Sequence, residues 1–355
     1  MALVSAETFR DIVSGRRRGF LPAALRSLLA TAEPIYGAVV ARKNRRYDNG
    51  GLPITRVDAP VISVGNLTVG GTGKTPLVIW LAKWFCQRGV KVTLISRGYG
   101  QKQGPNDEAR EIAANLPDVP QLQNPDRVAA ARQAIREHQT QVLLLDDAFQ
   151  HRRIARDLDI VLIDALEPFG YGRLLPRGLL REPIANLARA HVVALSRADA
   201  VSAERREELR AVVAKYAPQA IWLELAHQPV ALLDHAGHSE PLAKWQGQRL
   251  AAFAGIGNPA GFEHTLRQCG LQIAAFRALA DHQAYSPAII ASLEIWLRAE
   301  NAAAAVCTHK DLVKIPQATL GNVPLLALQI ALAVTRGEDE LNSLLTKLIH
   351  RAANG

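Results

Sequence analysis

The chain has 355 residues, 48% of them hydrophobic and 21% charged, which is the make-up of a soluble globular protein of one large or two smaller domains. A formal net charge of +9 calls for an acidic partner or surface: nucleic acid, anionic lipid or a phosphorylated substrate. Three widely spaced cysteines, Cys86, Cys269 and Cys307, lack metal-site spacing, so buried apolar thiols in a reducing compartment are expected. The first 20 residues lack the apolar core of a signal peptide. The longest uncharged run, Ile315 to Thr335, is broken by Pro316, Gly321, Asn322 and Pro324, and reads as loop, buried strand and helix start rather than a membrane span.

Residues 1–48 carry nine basic and four acidic side chains, an excess of five and over half of the net charge. Leu21, Leu25, Leu28, Leu29, Ala32, Tyr36 and Val39 recur at helical spacing, and Pro34 is expected to kink or divide that helix. An apolar face flanked by arginines suits a helix lying in a membrane surface; a helix packed on the core with a solvated basic end fits the pattern equally.

Val61 to Leu81 reads as a buried strand, a glycine-rich loop and a helix. Gly70, Gly71, Thr72 and Gly73 lead into Lys74 and Thr75, with Pro76 in the first helical turn, where its missing N–H costs nothing. Converging backbone N–H groups, a helix N-terminus and the Lys74 charge suit a nucleotide phosphate chain, and the Thr75 hydroxyl suits Mg²⁺. The standard form of this loop has glycine where Thr68 stands.

Further strands are expected at Val90 to Ser96, Gln141 to Leu145, Asp159 to Asp164 and His191 to Ser196, with helices at about 75–88 and 127–137. The alternation predicts an α/β fold of the P-loop NTPase type, a mostly parallel sheet flanked by helices. The loops after Val64, Ser96, Leu145 and Asp164 then converge on one sheet edge. Beyond about residue 225 the pattern restarts. Strands are expected at Leu250 to Ile256, near Gln272 to Phe276 and at Ala303 to Cys307. Helices are expected at about Gly261 to Cys269, Pro287 to Ala299 and Asp339 to Ala352. The expected organisation is a basic helical segment at 1–48, a P-loop core at 49–225 and a smaller α/β domain at 226–355, whose last helix can return to the core.

Asp146 closes a buried strand downstream of the phosphate loop, from where a carboxylate reaches a metal held by Thr75; Asp147 doubles the charge. Gln150 and His151 complete DDAFQH. Arg173, Arg177, Arg181 and Glu182 share one loop, offering phosphate neutralisation and a further metal ligand. Lys310, after the strand at 303–307, is a candidate nucleotide contact.

Four segments together resemble the tetraacyldisaccharide 4′-kinase family of lipid A biosynthesis: GNLTVGGTGKTP from Gly65, SRGYG from Ser96, DDAFQH from Asp146 and LLPRGLLREP from Leu174. YDNG at Tyr47, LADHQAYS at Leu279 and THKD at Thr308 add weaker echoes. The family usually has glycine where Ala148 stands and often a second histidine where Gln283 stands. The resemblance implies transfer of the ATP γ-phosphoryl to the 4′-hydroxyl of a lipid-linked glucosamine disaccharide at the cytoplasmic face of an inner membrane. It implies that Thr72, Gly73, Lys74 and Thr75 cradle ATP and Mg²⁺, with Gln150 and Glu182 as further metal-sphere residues. Asp107 resembles the catalytic base, supported by His282. Arg97, Tyr99, Arg127 and Arg181 resemble residues holding the sugar phosphate or the transferring phosphoryl. A four-chain lipid substrate also favours the membrane-surface reading of residues 1–48, with an anionic inner-membrane surface as partner, no nucleic acid and a monomeric enzyme. The competing readings are another P-loop transferase or ligase acting on a soluble acid, and a nucleotide-switched targeting or scaffold protein. The first would show no lipid dependence and a dispensable N-terminal helix; a pure switch would leave Asp107, His282 and the RGLLRE loop without a task.

Overall fold

A computed structural model describes residues 6–98, 112–113, 115–256, 259–280 and 283–353. The chain divides into two compact units, residues 1–226 with 332–355, and residues 227–331. In the first unit, helices α1 (Ala6–Ser14) and α2 (Phe20–Asp48) precede strand β1 (Val61–Asn66) and helix α3 (Lys74–Cys86). Strands β2 (Val92–Ser96) and β3 (Gln121–Gln123), helix α4 (Arg127–His138) and strands β4 (Val142–Asp146), β5 (Leu158–Asp164) and β6 (Val192–Ser196) follow. Helix α5 (Ala203–Tyr216) leads into β7 (Ile221–Leu233), which runs on into the second unit.

The strand order of the first unit is β7-β6-β5-β1-β4-β2-β3, every pair parallel. Each of these strands except β3 and β7 is buried along all or nearly all of its length, as near-continuous apolar runs require when both faces are covered. Ile62 and Val64 face the α3 side, among Leu77, Leu81 and Phe85. Val61, Leu143 and Leu145 face α4, among Val128, Ala131 and Ala134. β1 lies between β4 and β5, so the chain reverses its direction of travel across the sheet there; a crevice opens beyond the carboxyl ends at such a point.

In the second unit the order is β10 (Gln272–Ala278), β9 (Arg249–Ala254), β11 (Ala304–Thr308) and β13 (Val323–Arg336), again parallel. Short antiparallel strands β8 (Ser239–Pro241) and β12 (Thr319–Leu320) pair with β7 and β13. Helices α6 (Pro259–Gln268), α7 (Pro287–Ala299) and α8 (His309–Leu312) complete it. The end of β13 and helix α9 (Glu338–Ala353) belong to the first unit. There Leu341, Leu345 and Leu348, spaced i, i+4, i+7, join the core beside α3, and Trp84 Nε1 donates to Asn342 Oδ1 at 2.8 Å.

Two sequence expectations are corrected, and a third, that Pro34 kinks or divides its helix, loses its second alternative. Pro34 does not divide the first long helix: α2 is one element of 29 residues with Pro34 inside it. Side chains on either side of Pro34 are held by the 174–181 loop, which offsets one lost helical hydrogen bond. Only Cys307 is buried; Cys86, at the end of α3, is exposed and Cys269 half-buried. The single apolar face expected on α2 is two faces. Leu25, Leu29, Ala32 and Tyr36 turn inward, whereas Leu21, Leu28 and Val39 stand with Ile35 in an outward stripe at i, i+7, i+14 and i+18. Leu21 is 79% and Ile35 69% exposed.

Gly65 explains how two loops meet at the sheet edge. A Cβ there would lie 2.6 Å from Phe149 Cβ and 2.8 Å from its backbone nitrogen, so only glycine lets the chain after β4 cross β1 this closely. Gly65→Ala is expected to lower stability by about 1–3 kcal/mol through overpacking, measured as a fall in the urea midpoint with an unchanged slope.

Candidate active site

The phosphate loop hangs from Asn66, a buried polar residue at the end of β1. Its Nδ2 donates to Thr68 O at 2.8 Å, its Oδ1 accepts from Lys74 Nζ at 3.4 Å and its carbonyl accepts from Gln150 Nε2 at 2.9 Å. The 179–181 segment braces the loop from outside: Val69 N donates to Leu179 O and Arg181 N to Leu67 O, at 2.8 and 2.7 Å. Gly73 caps α3 in the left-handed region, at φ 79, a conformation that favours glycine. No acidic side chain stands in the first turn of α3, so its N–H groups meet an anion unopposed. The Thr72 hydroxyl is buried with no hydrogen-bond partner among the described residues. An orphaned donor in this cradle is what a phosphate oxygen satisfies.

Asp147 joins the cations of the site. It occupies the left-handed region at φ 48, which aspartate tolerates. Both carboxylate oxygens accept from Arg181 Nη1 at 2.9 Å, and Oδ1 lies 3.5 Å from Lys74 Nζ. Burial pushes the Asp147 carboxyl up, but Lys74 and Arg181 outweigh it and hold the group below its ordinary value. Asp146, beside it in sequence, is buried and stands level with Val64 of β1. Arg127 is 2% exposed at the start of α4; its Nη1 donates to Asn124 O and Pro125 O, while Nε has no partner among the described residues. Burial lowers its proton affinity, Arg97 lowers it further, and Asp147 and Asp146 oppose both. Arg97, Arg127, Asp146 and Asp147 therefore share one electrostatic neighbourhood.

Glu182 is 2% exposed and fully engaged. Its carboxylate accepts from Asn44 Nδ2 at 2.9 Å, from Asn186 Nδ2 at 2.6 Å and from Arg189 Nη2 at 3.1 and 2.9 Å. Arg189 lies over the Phe149 ring, 4.4 Å from its centroid. Among the described residues no group of three or more His, Cys, Asp or Glu side chains forms a metal cage. The donor set of Thr75, Gln150 and a carboxylate suits instead an ion completed by nucleotide phosphates.

Lys310 lies on α8 in the second unit and is exposed. Its neighbour Asp311 is buried and accepts from Gly255 N at 3.2 Å and Thr308 Oγ1 at 2.7 Å, a structural role within that unit. Tyr99, Asp107 and His282 lie outside the described residues.

Sequence reasoning missed Asn66 and the inward face of α2. Asn66 carried a signal, a polar residue closing an apolar strand inside GNLTVGG. The α2 contacts carried none, because their partners are more than 100 residues away. Glu33 Oε1 accepts from Leu174 N at 2.9 Å, Tyr36 OH donates to Arg181 O at 3.0 Å and Lys43 Nζ donates to Gln150 O at 3.4 Å. Burial and then the Glu182 charge raise the Tyr36 phenol, keeping it protonated as the donor.

His151 completes the cluster with a pH consequence. Burial, followed by the charges of Arg127, Arg153, Arg156 and Lys43, lowers its pKa from 6.5 to about 4, so it is neutral at pH 7. The unfolded chain binds this proton below about pH 6.5 and the folded chain only near pH 4, so His151 weakens the fold as pH falls between them. The thermal midpoint of the wild type should therefore drop more between pH 7 and pH 5 than that of His151→Gln.

A family model described as tetraacyldisaccharide-1-P 4′-kinase matches residues 25–350. A tetraacyldisaccharide 4′-kinase from Anaeromyxobacter dehalogenans strain 2CP-C is 40% identical over 320 residues, covering 85% of this chain and 84% of the relative. One from Halothermothrix orenii is 35% identical over 316 residues, covering 81% and 82%. Among solved structures, the "apo" form of LpxK from Aquifex aeolicus in complex with ATP superposes with a TM-score of 0.66 at 28% identity, covering 92% of this chain and 99% of that one.

Proposed function

This chain belongs to the tetraacyldisaccharide-1-P 4′-kinase family, and from that premise we propose how its residues perform the reaction. It is an ATP-dependent kinase that transfers the γ-phosphoryl group to the 4′-hydroxyl of a tetraacylated glucosamine disaccharide 1-phosphate, giving the lipid A precursor lipid IVA. The observation that carries the residue-level reading is the Asp147 carboxylate shared by Lys74 and Arg181 at the mouth of the phosphate loop.

The N–H groups of residues 70–75 hold the phosphate chain, with Gly70 and Gly71 admitting it closely and the Thr72 hydroxyl gaining its missing partner. Lys74 and Arg181 exchange part of their contact with Asp147 for the nucleotide and spread the charge that develops on the transferring group. Thr75 and Gln150 would hold Mg²⁺ with the nucleotide, Asp146 would orient that donor set, and Glu182, whose Oε2 accepts from Asn44, Asn186 and Arg189, would offer it Oε1, which among the described residues accepts only from Arg189. Bound there, the ion neutralises phosphate charge and aligns the oxygens for in-line displacement. Arg97, Tyr99 and Arg127 hold the acceptor sugar phosphate. The acceptor oxygen bonds to the γ-phosphorus, the bond to the ADP oxygen breaks, and the hydroxyl proton passes to Asp107, which His282 orients. Lys310 contacts the nucleotide.

The lipid acceptor sets the location. Among the described residues no helix is long and apolar enough to cross a membrane. Phe20, Leu21, Leu28, Ile35 and Val39 stand exposed on α2, amid its arginines. We place this stripe in the cytoplasmic leaflet of an inner membrane, with the arginines on anionic headgroups and the enzyme peripheral and monomeric.

Three measurements test the reading. With γ-labelled ATP and detergent-dispersed lipid disaccharide monophosphate, label should enter the lipid with wild type and not with Lys74→Ala. Asp107→Ala and His282→Ala should each lose about 100-fold or more in kcat; a loss of only twofold removes that residue from the acid–base role. The double variant Leu28→Asp with Ile35→Asp should leave the membrane pellet for the supernatant while keeping its kcat on detergent-dispersed acceptor; unchanged pelleting removes the stripe from membrane binding.

A further inference from the structure

Helix α1 precedes the 25–350 stretch matched by the family model, and the reaction scheme leaves it without a task. It is nevertheless built onto the site. Ile12 and Val13 are buried, Ile12 O accepts from Arg26 Nη1 at 3.3 Å, and Val13 O accepts from Arg177 Nη1 at 3.3 Å. α1 is thus tied to α2 and to the loop that carries Arg181. This anchoring leaves Arg10 against the phosphate loop. A Cβ built on Gly70 would lie 2.5 Å from Arg10 Nη2 and 3.7 Å from its Cζ, whereas nothing lies within 4 Å of a Cβ built on Gly71. The guanidinium therefore rests at one edge of an open cradle, over a glycine whose φ of 122 keeps larger residues away.

The charges around the loop divide in a telling way. Lys74 and Arg181 share Asp147, and Arg197 pairs with Asp164. Among the described residues Arg10 has no ion pair, and its charge is felt by Arg197, whose proton affinity is lowered first by burial and then by Arg10. A guanidinium held over a phosphate cradle is placed to meet an anion there. The loop amides nearest α3 hold the inner phosphates, and Lys74 reaches toward the terminal one. Gly70 stands at the opposite, entry end of the loop, so a cation stationed there meets the terminal phosphoryl.

We propose that Arg10 contacts the γ-phosphoryl oxygens of ATP, an arginine supplied in cis by α1 that discriminates ATP from ADP and stabilises the transferring group. The planar fork of arginine suits two equatorial oxygens, and charge spreading over those oxygens in the transition state strengthens the contact as the reaction proceeds. The proposal rests on the reading of residues 70–75 as the ATP cradle.

The test uses the full chain with Mg²⁺, comparing wild type, Arg10→Ala, Arg10→Lys and Lys74→Ala for ATP and ADP binding and for turnover on detergent-dispersed lipid acceptor. Arg10→Ala should lose about 10-fold or more in kcat and weaken ATP binding several-fold more than ADP binding, with an unchanged thermal midpoint. Arg10→Lys, which keeps the charge but not the fork, should fall between. Turnover within twofold of wild type, or equal weakening of ATP and ADP, overturns the proposal. Lys74→Ala reports on the cradle itself: wild-type ATP affinity in that variant would overturn the underlying reading, whatever Arg10 does.

Discussion

One carboxylate, Asp147, holds the cationic groups of the site in register. Lys74 comes from the start of α3, Arg181 from a loop far along the chain, and neither would stay beside the other without an anion between them. A lone buried aspartate favours its neutral form, so the two cations keep Asp147 charged as much as it keeps them together. The pairing fixes two cations at the mouth of the glycine loop on one carboxylate. Gly65 makes this possible from below, because only without a Cβ can Phe149 and the turn bearing Asp147 cross β1 so closely.

The same loop ties the site to the first helices. α2 binds the 174–182 segment through Glu33, Tyr36 and Asn44, and turns Leu21, Leu28, Ile35 and Val39 the other way. One helix thus has two separable faces, the first concerned with where Arg181 and Glu182 stand, the second an exposed apolar stripe turned away from them. α1, held to both α2 and that loop, lies on the site side of this arrangement.

Much of the site was legible from residue order. The strand, glycine loop and helix at 61–86 follow from β-branched residues, glycines and a lysine in fixed succession, and Asp146 at the end of an apolar strand is visible as a polar residue that burial must explain. Glu182 was legible only as a carboxylate near arginines. Which of its possible partners it takes, Asn44, Asn186 and Arg189, depends on a helix over 130 residues earlier in the chain and on a turn a few residues later. The doubled face of α2 was misread as one, because helical spacing reports which residues align but not which aligned set meets the protein. Of the two outcomes expected at Pro34, a kink or a division, division does not occur, because local propensity does not count the tertiary hydrogen bonds made on either side of it.

Sequence alone determined the α/β class, the glycine loop between strand and helix at 61–86, and the family, since these are written in local spacing: apolar runs of strand length, glycines where backbone must turn or approach, and short motifs in a constant order. Tertiary structure decided the charge pairing. Asp147 between Lys74 and Arg181, Glu182 among its donors and Arg10 over Gly70 each join residues far apart in the chain, and Coulomb interaction and hydrogen bonding depend on distance in space.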